Sequence, residues 1–353
     1  MIIAKAPLRI GLLGGGSDLD SFLKKCSEHN IKCGKVLNVA INKYVYVLVK
    51  KRHDDFIYLK YSDNEIVYIK NIDKIKHDFI RETLKYLNID FGVEIINWAD
   101  VPTKGTGLGS SSSFLVALLL ALHSIRGELV TKDQLAKEAC YIEINLCKKP
   151  IGYQDQYAAA FGGMNYFIFK YDKEIDKVNV NIENVDHISK ITGKNLFSYM
   201  LLYYTGKYRL SSDILEKQSV DLVEDDAMIS RMKDNINLVE ESIDSMQKGY
   251  FIRLGYLLKK NWELKKTFSK NMSNKHIDDI YSDLENLGMV GGKITGAGGG
   301  GFLLAFFREE DKLKIKRYLN DKSVLDNNDG KIMNIDIDEL GARIIFNEDT
   351  NGW

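Results

Sequence analysis

Four cysteines in 353 residues, Cys26, Cys33, Cys140 and Cys147, form no C-x-x-C pair, and the six histidines show no H-x-x-x-H spacing. A structural zinc site has no recognisable ligand set here, and buried free thiols in a reducing cytosol are expected instead. An excess of either charge is also missing, with 49 Lys and Arg against 49 Asp and Glu. That balance argues against a nucleic-acid partner or a polybasic membrane surface, although it leaves room for a local basic pocket for phosphate. Long apolar runs are absent too. The most apolar stretch, Phe114 to Leu122, is less than half of the ~20 residues that span a bilayer. At the start of the chain, Lys5, Pro7 and Arg9 stand where a signal peptide would need its apolar core. A cytoplasmic protein with small-molecule partners is the expectation; a homodimer is left open. Apolar residues at 45% and charged residues at 28% are ordinary for a globular chain, and the length suits two domains.

What is present is a mixture of strand and helix patterns without regular alternation, which favours α+β over a doubly wound sheet. Ile2 to Ile10 predicts a strand running into Gly14-Gly15-Gly16, with a helix capped by Ser17 after it. Strands are expected over Val36 to Val49, Phe56 to Tyr61, Ile66 to Lys70 and Val93 to Trp98, with a helix over Lys74 to Leu87. Thr131 and Gln134 form a capping-box pattern ahead of a stripe at Leu135, Ala139, Ile142 and Leu146. A short helix after Lys148 to Gln154 stops at Gly162-Gly163, and Met164 to Phe169 predicts a strand. The stretch after Lys170, to Lys194, has the composition of a linker or insertion. Beyond it come a strand at Phe197 to Tyr204, helices over Leu210 to Ser245, Tyr250 to Phe268 and His276 to Leu287, a strand at Phe302 to Phe307, a helix from about Glu309 and a last strand near Ile332 to Ile337.

Two glycine-rich loops carry the chemistry. Gly105-Thr106-Gly107-Leu108-Gly109 leads into Ser110, Ser111, Ser112 and Ser113 and a helix apolar on nearly all sides, which must be buried centrally. Glycines let the backbone approach a ligand, and the helix N-terminus adds free amides and partial positive charge. Lys104 precedes the glycines rather than following them, so this is not a G-x-x-x-x-G-K-[ST] loop, and the third glycine comes one residue early for a dinucleotide fingerprint. A triphosphate suits the arrangement; the rival is a turn that only lets a core helix pack closely. The second loop, Lys293-Ile294-Thr295-Gly296-Ala297 to Gly301, has more glycine than a plain turn needs, which points to close backbone approach to something.

With the N-terminal segment Ala6-Pro7-Leu8-Arg9-Ile10-Gly11-Leu12-Leu13-Gly14-Gly15-Gly16-Ser17-Asp18, these loops make three motifs in an order that resembles the GHMP kinases. Pro102 stands farther from the second motif's glycines than is usual there. Within that family the triple glycine with Ser17-Asp18-Leu19, the phrase Gln154 to Gly163, and Tyr204 to Arg209 with Ser211 to Gln218 resemble the D-glycero-D-manno-heptose 7-phosphate kinases. The resemblance spans essentially the whole chain. It implies a two-domain α+β GHMP kinase architecture, with an N-terminal half (residues 1–190) like ribosomal protein S5 domain 2 and a ferredoxin-like C-terminal half (191–353). It also implies ATP and Mg2+, and transfer of phosphate to the anomeric hydroxyl of a heptose 7-phosphate for nucleotide-activated heptose. Another sugar 1-kinase, acting on fucose or galactose, and a catalytically silent sensor are the alternatives.

Residue roles follow with the resemblance. Asp155 is the candidate base, against an acid that only favours a helix N-terminus. Arg9 would pair with Asp155 and the transferring phosphate, against a plain salt bridge. Lys104, Gly105, Thr106, Gly107, Leu108, Gly109, Ser110, Ser111 and Ser112 would hold the nucleotide. Ser111 and Glu143 would hold Mg2+, against a Glu143 solvated on a helix surface. Asp18 would accept sugar hydroxyls, against a first-turn helix acid. Gly15, Gly16, Ser17, Gln154, Gly298 and Gly299 complete the sugar site, and Lys207, Arg209 and Ser211 are candidates for the 7-phosphate.

Overall fold

A computed structural model describes residues 1–29, 31–102, 105–185, 196–206, 226–268, 272–296, 298–325 and 329–348. The expected Leu210 to Ser245 helix is described from Asp226 onward; its earlier part lies outside these residues, as do Lys104, Lys207, Arg209 and Ser211.

The first half is built on β1 (Ile2–Leu13) and β2 (Gly34–Lys51). Along β1 every second side chain, Ile2, Ala4, Ala6, Leu8, Ile10 and Leu12, enters the core, the period-two pattern of a strand, and from Ala6 to Ile10 the other face is covered as well. β2 is long enough to serve two partners. Its first part pairs with β6 (Met164–Asp172) and its second with β5 (Val93–Ala99), both antiparallel. β3 (Phe56–Lys60) and β4 (Asn64–Tyr68) extend the sheet beyond β5, with β3 and β5 parallel. β7 (Lys177–Asn184) pairs antiparallel with β6, so the segment expected as linker begins with a hairpin strand. Its alternating Val178, Val180 and Ile182 carried that signal, masked by the Asn and Asp between them.

α1 is Asp20–Lys25 and starts later than expected. Ser17 does not cap it: its hydroxyl donates to Lys35 O at 2.8 Å and accepts from Lys35 N at 3.0 Å, stitching the glycine turn to β2. α2 is Asp78–Tyr86, and α3 is Ser110–Ile125, buried from Ser112 through Leu119 against β1 and β2. α4 (Lys132–Cys140) is capped by Thr131, whose hydroxyl accepts from Gln134 N at 3.1 Å, and runs into a wider π turn at Tyr141–Leu146. α5 is Gln154–Phe161.

The second half holds an antiparallel sheet in the order β11 (Lys331–Met333), β8 (Met200–Tyr204), β10 (Phe302–Phe307), β9 (Met289–Ile294). α6 (Asp226–Gln247), α7 (Phe251–Lys266), α8 (Lys275–Asn286) and α9 (Lys312–Leu325) accompany it. β10 is buried on both faces. Phe302, Leu304 and Phe306 join the large core with α6 and α7, while Leu303, Ala305 and Phe307 face a smaller cluster with α8 and α9.

The chain then returns to the first half. Asn42 N donates to Asp336 O, Ile337 bridges Ile41, and β12 (Arg343–Asn347) pairs antiparallel with β1 in the first sheet. Chain order alone, with 191–353 as one unit, misses this return, because a strand's partner is set by edge hydrogen bonds rather than by its place in the sequence.

Candidate active site

Arg9 lies mid-strand in β1 and is almost fully buried. Its Nε and Nη2 donate to the two carboxylate oxygens of Asp155, each at 2.6 Å, and its Nη1 donates to Gly107 O at 2.6 Å. The planar guanidinium thus ties three elements together: β1, the first turn of α5 and the first glycine loop. A carboxylate has about four lone-pair positions, so the pairing leaves Asp155 able to accept another donor.

The first glycine loop turns through left-handed conformations at Gly105, Gly107 and Gly109, with Gly109 as the N-cap of α3. Ser113 N bonds back to Gly109 O. The amides of Ser110, Ser111 and Ser112 come before the first intrahelical bond and suit an anion. The four serine hydroxyls have separate duties. Ser113 donates to Pro7 O at 2.8 Å, Ser110 lies 3.3 Å from Thr106 Oγ1, and Ser111 and Ser112 turn to Glu143.

Glu143, on the π turn, is only 1% exposed, which removes the solvated alternative. Its Oε1 accepts from Ser111 Oγ at 3.0 Å; its Oε2 accepts from Ser112 Oγ and Gln156 Nε2, both at 2.8 Å. Burial pushes its carboxyl up to about 7, against the pull of those three donors. Adjacent oxygens in an octahedral Mg2+ shell lie about 3 Å apart for bonds of ~2.1 Å, so Ser111 Oγ and Glu143 Oε1 fit as a pair of hard-cation ligands.

The second glycine loop approaches the first. A Cβ on Gly296 would stand 2.4 Å from Gly107 Cα, and Thr295 Oγ1 donates to Thr106 O at 3.1 Å. Much of the unusual glycine content is thereby used by loop-on-loop packing. Gly298 and Gly299 pack on Met272, whose carbonyl accepts from Gly299 N at 2.8 Å, and do not line the cleft. Ser17, buried under Lys35, does not line it either.

The cleft itself runs between the two halves. Gly15, Gly16, Asp18, Gln154, Arg9 and Asp155 line it from the first half. Asp18 precedes α1 and is no first-turn acid: its Oδ1 accepts from Gly16 N at 3.1 Å and Gln154 Nε2 at 3.0 Å, and its Oδ2 accepts from Gln154 N at 3.0 Å. Burial raises its carboxyl above the usual range, the Gln154 amide opposes this, and the charge of Asp155 adds to it.

From the second half the cleft is lined by Asn235, Asn261, Lys265 and Lys293, none of which the sequence singled out as a ligand. Asn235 Nδ2 donates to Gly15 O at 3.1 Å, and Asn261 Nδ2 donates to Asn235 Oδ1 at 2.7 Å, so α6 and α7 hold the triple-glycine turn. Lys265 sits in the run Lys259 to Lys266, where nothing local separates it from solvated lysines.

Two family models match the chain. "GHMP kinases N terminal domain" matches residues 73–163, and "GHMP kinases C terminal" matches 242–324. The chain is 30% identical over 338 residues to a D-glycero-alpha-D-manno-heptose 7-phosphate kinase of Campylobacter jejuni, covering 90% of this chain and 93% of that one. It is 23% identical over 349 residues to a galactokinase of Thermotoga neapolitana, covering 89% and 92%. Its fold matches the crystal structure of a D-glycero-D-manno-heptose 1-phosphate kinase from Bacteriodes thetaiotaomicron at a TM-score of 0.74, with 24% identity and 99% and 100% of the two chains covered. With the two-domain fold, the loop-capped α3 and the Arg9–Asp155 clamp, the chain belongs to the GHMP kinase family and is an ATP-dependent phosphotransferase.

Proposed function

We infer that this kinase phosphorylates the anomeric C1 hydroxyl of D-glycero-D-manno-heptose 7-phosphate, giving the 1,7-bisphosphate. The observation that carries the reading is the pair of carboxylates in one cleft: Asp155, clamped by Arg9 beside the nucleotide loop, and Asp18, oriented by Gln154 and Gly16. Asp155 accepts the proton of the attacking hydroxyl. Asp18 accepts from neighbouring sugar hydroxyls and sets the face presented. Arg9 holds Asp155 in place and spreads positive charge toward the group in transfer. The amides of Ser110 to Ser112 take the nucleotide's phosphates. Mg2+, when bound, neutralises phosphate charge, and Ser111 and Glu143 are the residues that would hold it. The similarity to the Campylobacter jejuni kinase supports a heptose phosphate as acceptor.

An ADP-release assay across heptose, heptose 7-phosphate, fucose and galactose tests the reading. Turnover on heptose 7-phosphate should exceed the rest, and Asp155→Asn should keep ATP binding while kcat falls at least about 1000-fold. Faster turnover of an unphosphorylated sugar would replace the substrate assignment with that of another sugar 1-kinase.

A further inference from the structure

Helix α7 turns Asn261 and Lys265 into the cleft at i and i+4, one face of a helix, and Phe268, just past its end, joins them. Lys293 enters from β9, immediately before the second glycine loop. Among the described residues each ammonium makes one hydrogen bond, to a backbone carbonyl: Lys265 to Gly296 O, Lys293 to Leu12 O at 3.0 Å. An ammonium has three donors, so both have donors left over. Neither pairs with a carboxylate among the described residues. Lys293 is only 4% exposed.

Three cations, Arg9, Lys265 and Lys293, therefore face one cleft, and Asp155 is engaged with the first of them. Burial, with the positive charge of Arg9, lowers Lys265 to about 8; burial, Lys265 and Arg9 together hold Lys293 far below the ordinary lysine range. Buried charges of one sign without counter-ions oppose folding, and such groups gather where a ligand completes them. The position narrows the ligand. Lys293 grips the end of β1 just before Gly14 to Gly16 and shares the cleft with Asp18 and Gln154, while Lys265 holds Gly296 of the second glycine loop.

We propose that Lys265 and Lys293 form an anion subsite in the cleft they share with Asp18 and Gln154, which takes the acceptor's own phosphate monoester. The inference rests on the reading of a sugar phosphate as acceptor. A dianion there supplies the missing counter-charge, which makes the enzyme select acceptors that carry a phosphate of their own.

The experiment compares wild type with Lys265→Met, Lys293→Met and Lys265→Arg as full chains. Specificity is read as kcat/KM for heptose 7-phosphate over unphosphorylated heptose. Each methionine variant should lower that ratio about 100-fold, mostly through KM for the phosphorylated sugar, and Lys265→Arg should recover part of it. Thermal midpoints should hold or rise in the methionine variants, because an uncompensated buried charge is removed; inorganic phosphate should raise the midpoint of wild type more than theirs. An unchanged ratio overturns the proposal. So does an equal fall in kcat on both sugars, which would assign the lysines to the phosphoryl group in transfer. If wild type ignores heptose 7-phosphate altogether, the substrate reading fails, and the inorganic-phosphate shift still decides whether the two lysines bind phosphate.

Discussion

Gly107 and Gly296 touch backbone to backbone, so closely that a Cβ on Gly107 would lie 2.4 Å from Thr295 O and one on Gly296 would lie 2.4 Å from Gly107 Cα. The contact joins the two glycine loops across the two halves of the chain. Both residues also have positive φ, at 70° and 64°. Gly107→Ala and Gly296→Ala should each lower stability by roughly 2–4 kcal/mol and weaken ATP-analogue binding. The double variant should lose less than the sum, since one contact is removed twice. Urea denaturation and nucleotide titration measure both; full additivity would show the loops to be independent.

Gly152 sits against Asp18. A Cβ there would fall 2.0 Å from Asp18 Oδ2, so Gly152→Ala must push the carboxylate off its Gln154 partners. The expected result is a rise of ten-fold or more in the acceptor KM with the ATP KM little changed. Equal effects on both substrates would mean that Asp18 does not serve the acceptor.

Glu143 gives the protein a pH signature. Its carboxyl ionises near 4.5 in an unfolded chain and at about 7 in the fold. A raised acid favours the folded state below its unfolded value, and that contribution is lost as pH rises from 4.5 through 7. The loss can reach roughly 3 kcal/mol. Glu143→Gln should therefore be more stable than wild type at pH 8 and close to it at pH 4.5, a difference visible in thermal midpoints across that range. Cation binding requires the ionised form, so apparent Mg2+ affinity should fall toward about tenfold per unit below pH 7. A flat Mg2+ titration between pH 6 and 8 would remove Glu143 from the metal site.

The returning C-terminal segment braces the helix that carries Asp155. Asp338, 4% exposed, accepts from Tyr44 Oη and Arg343 Nη2 at 2.8 Å and from Gly341 N at 2.7 Å, while its carbonyl takes Gly163 N at 2.6 Å. Ala342 N reaches Ala160 O in α5 at 3.3 Å. Asp338→Ala should cost about 2–3 kcal/mol, because Tyr44, Gly341 and the partly exposed Arg343 all lose an acceptor, and loosen α5 in hydrogen exchange. Protection of α5 as in wild type would confine the brace to the sheet edge.

Some of the molecule is a local matter. The glycine spacing at Gly105 to Gly109, the capping of α4 by Thr131 and the all-round apolar character of α3 are properties of adjacent residues, so the sequence displayed them, and three ordered motifs were enough to reach the family. Arg9 and Asp155 could be paired on paper because Arg9 stood inside the first motif and Asp155 inside the phrase Gln154 to Gly163 that also carried the resemblance. The rest depended on partners far along the chain. Whether Ser17 caps a helix or fastens Lys35, whether Lys265 is solvated or aimed into a cleft, and which sheet receives β12 are decided by burial and by edge hydrogen bonds. Those are set only when distant segments meet, because desolvation and pairing energies belong to the assembled environment and not to the residue that feels them.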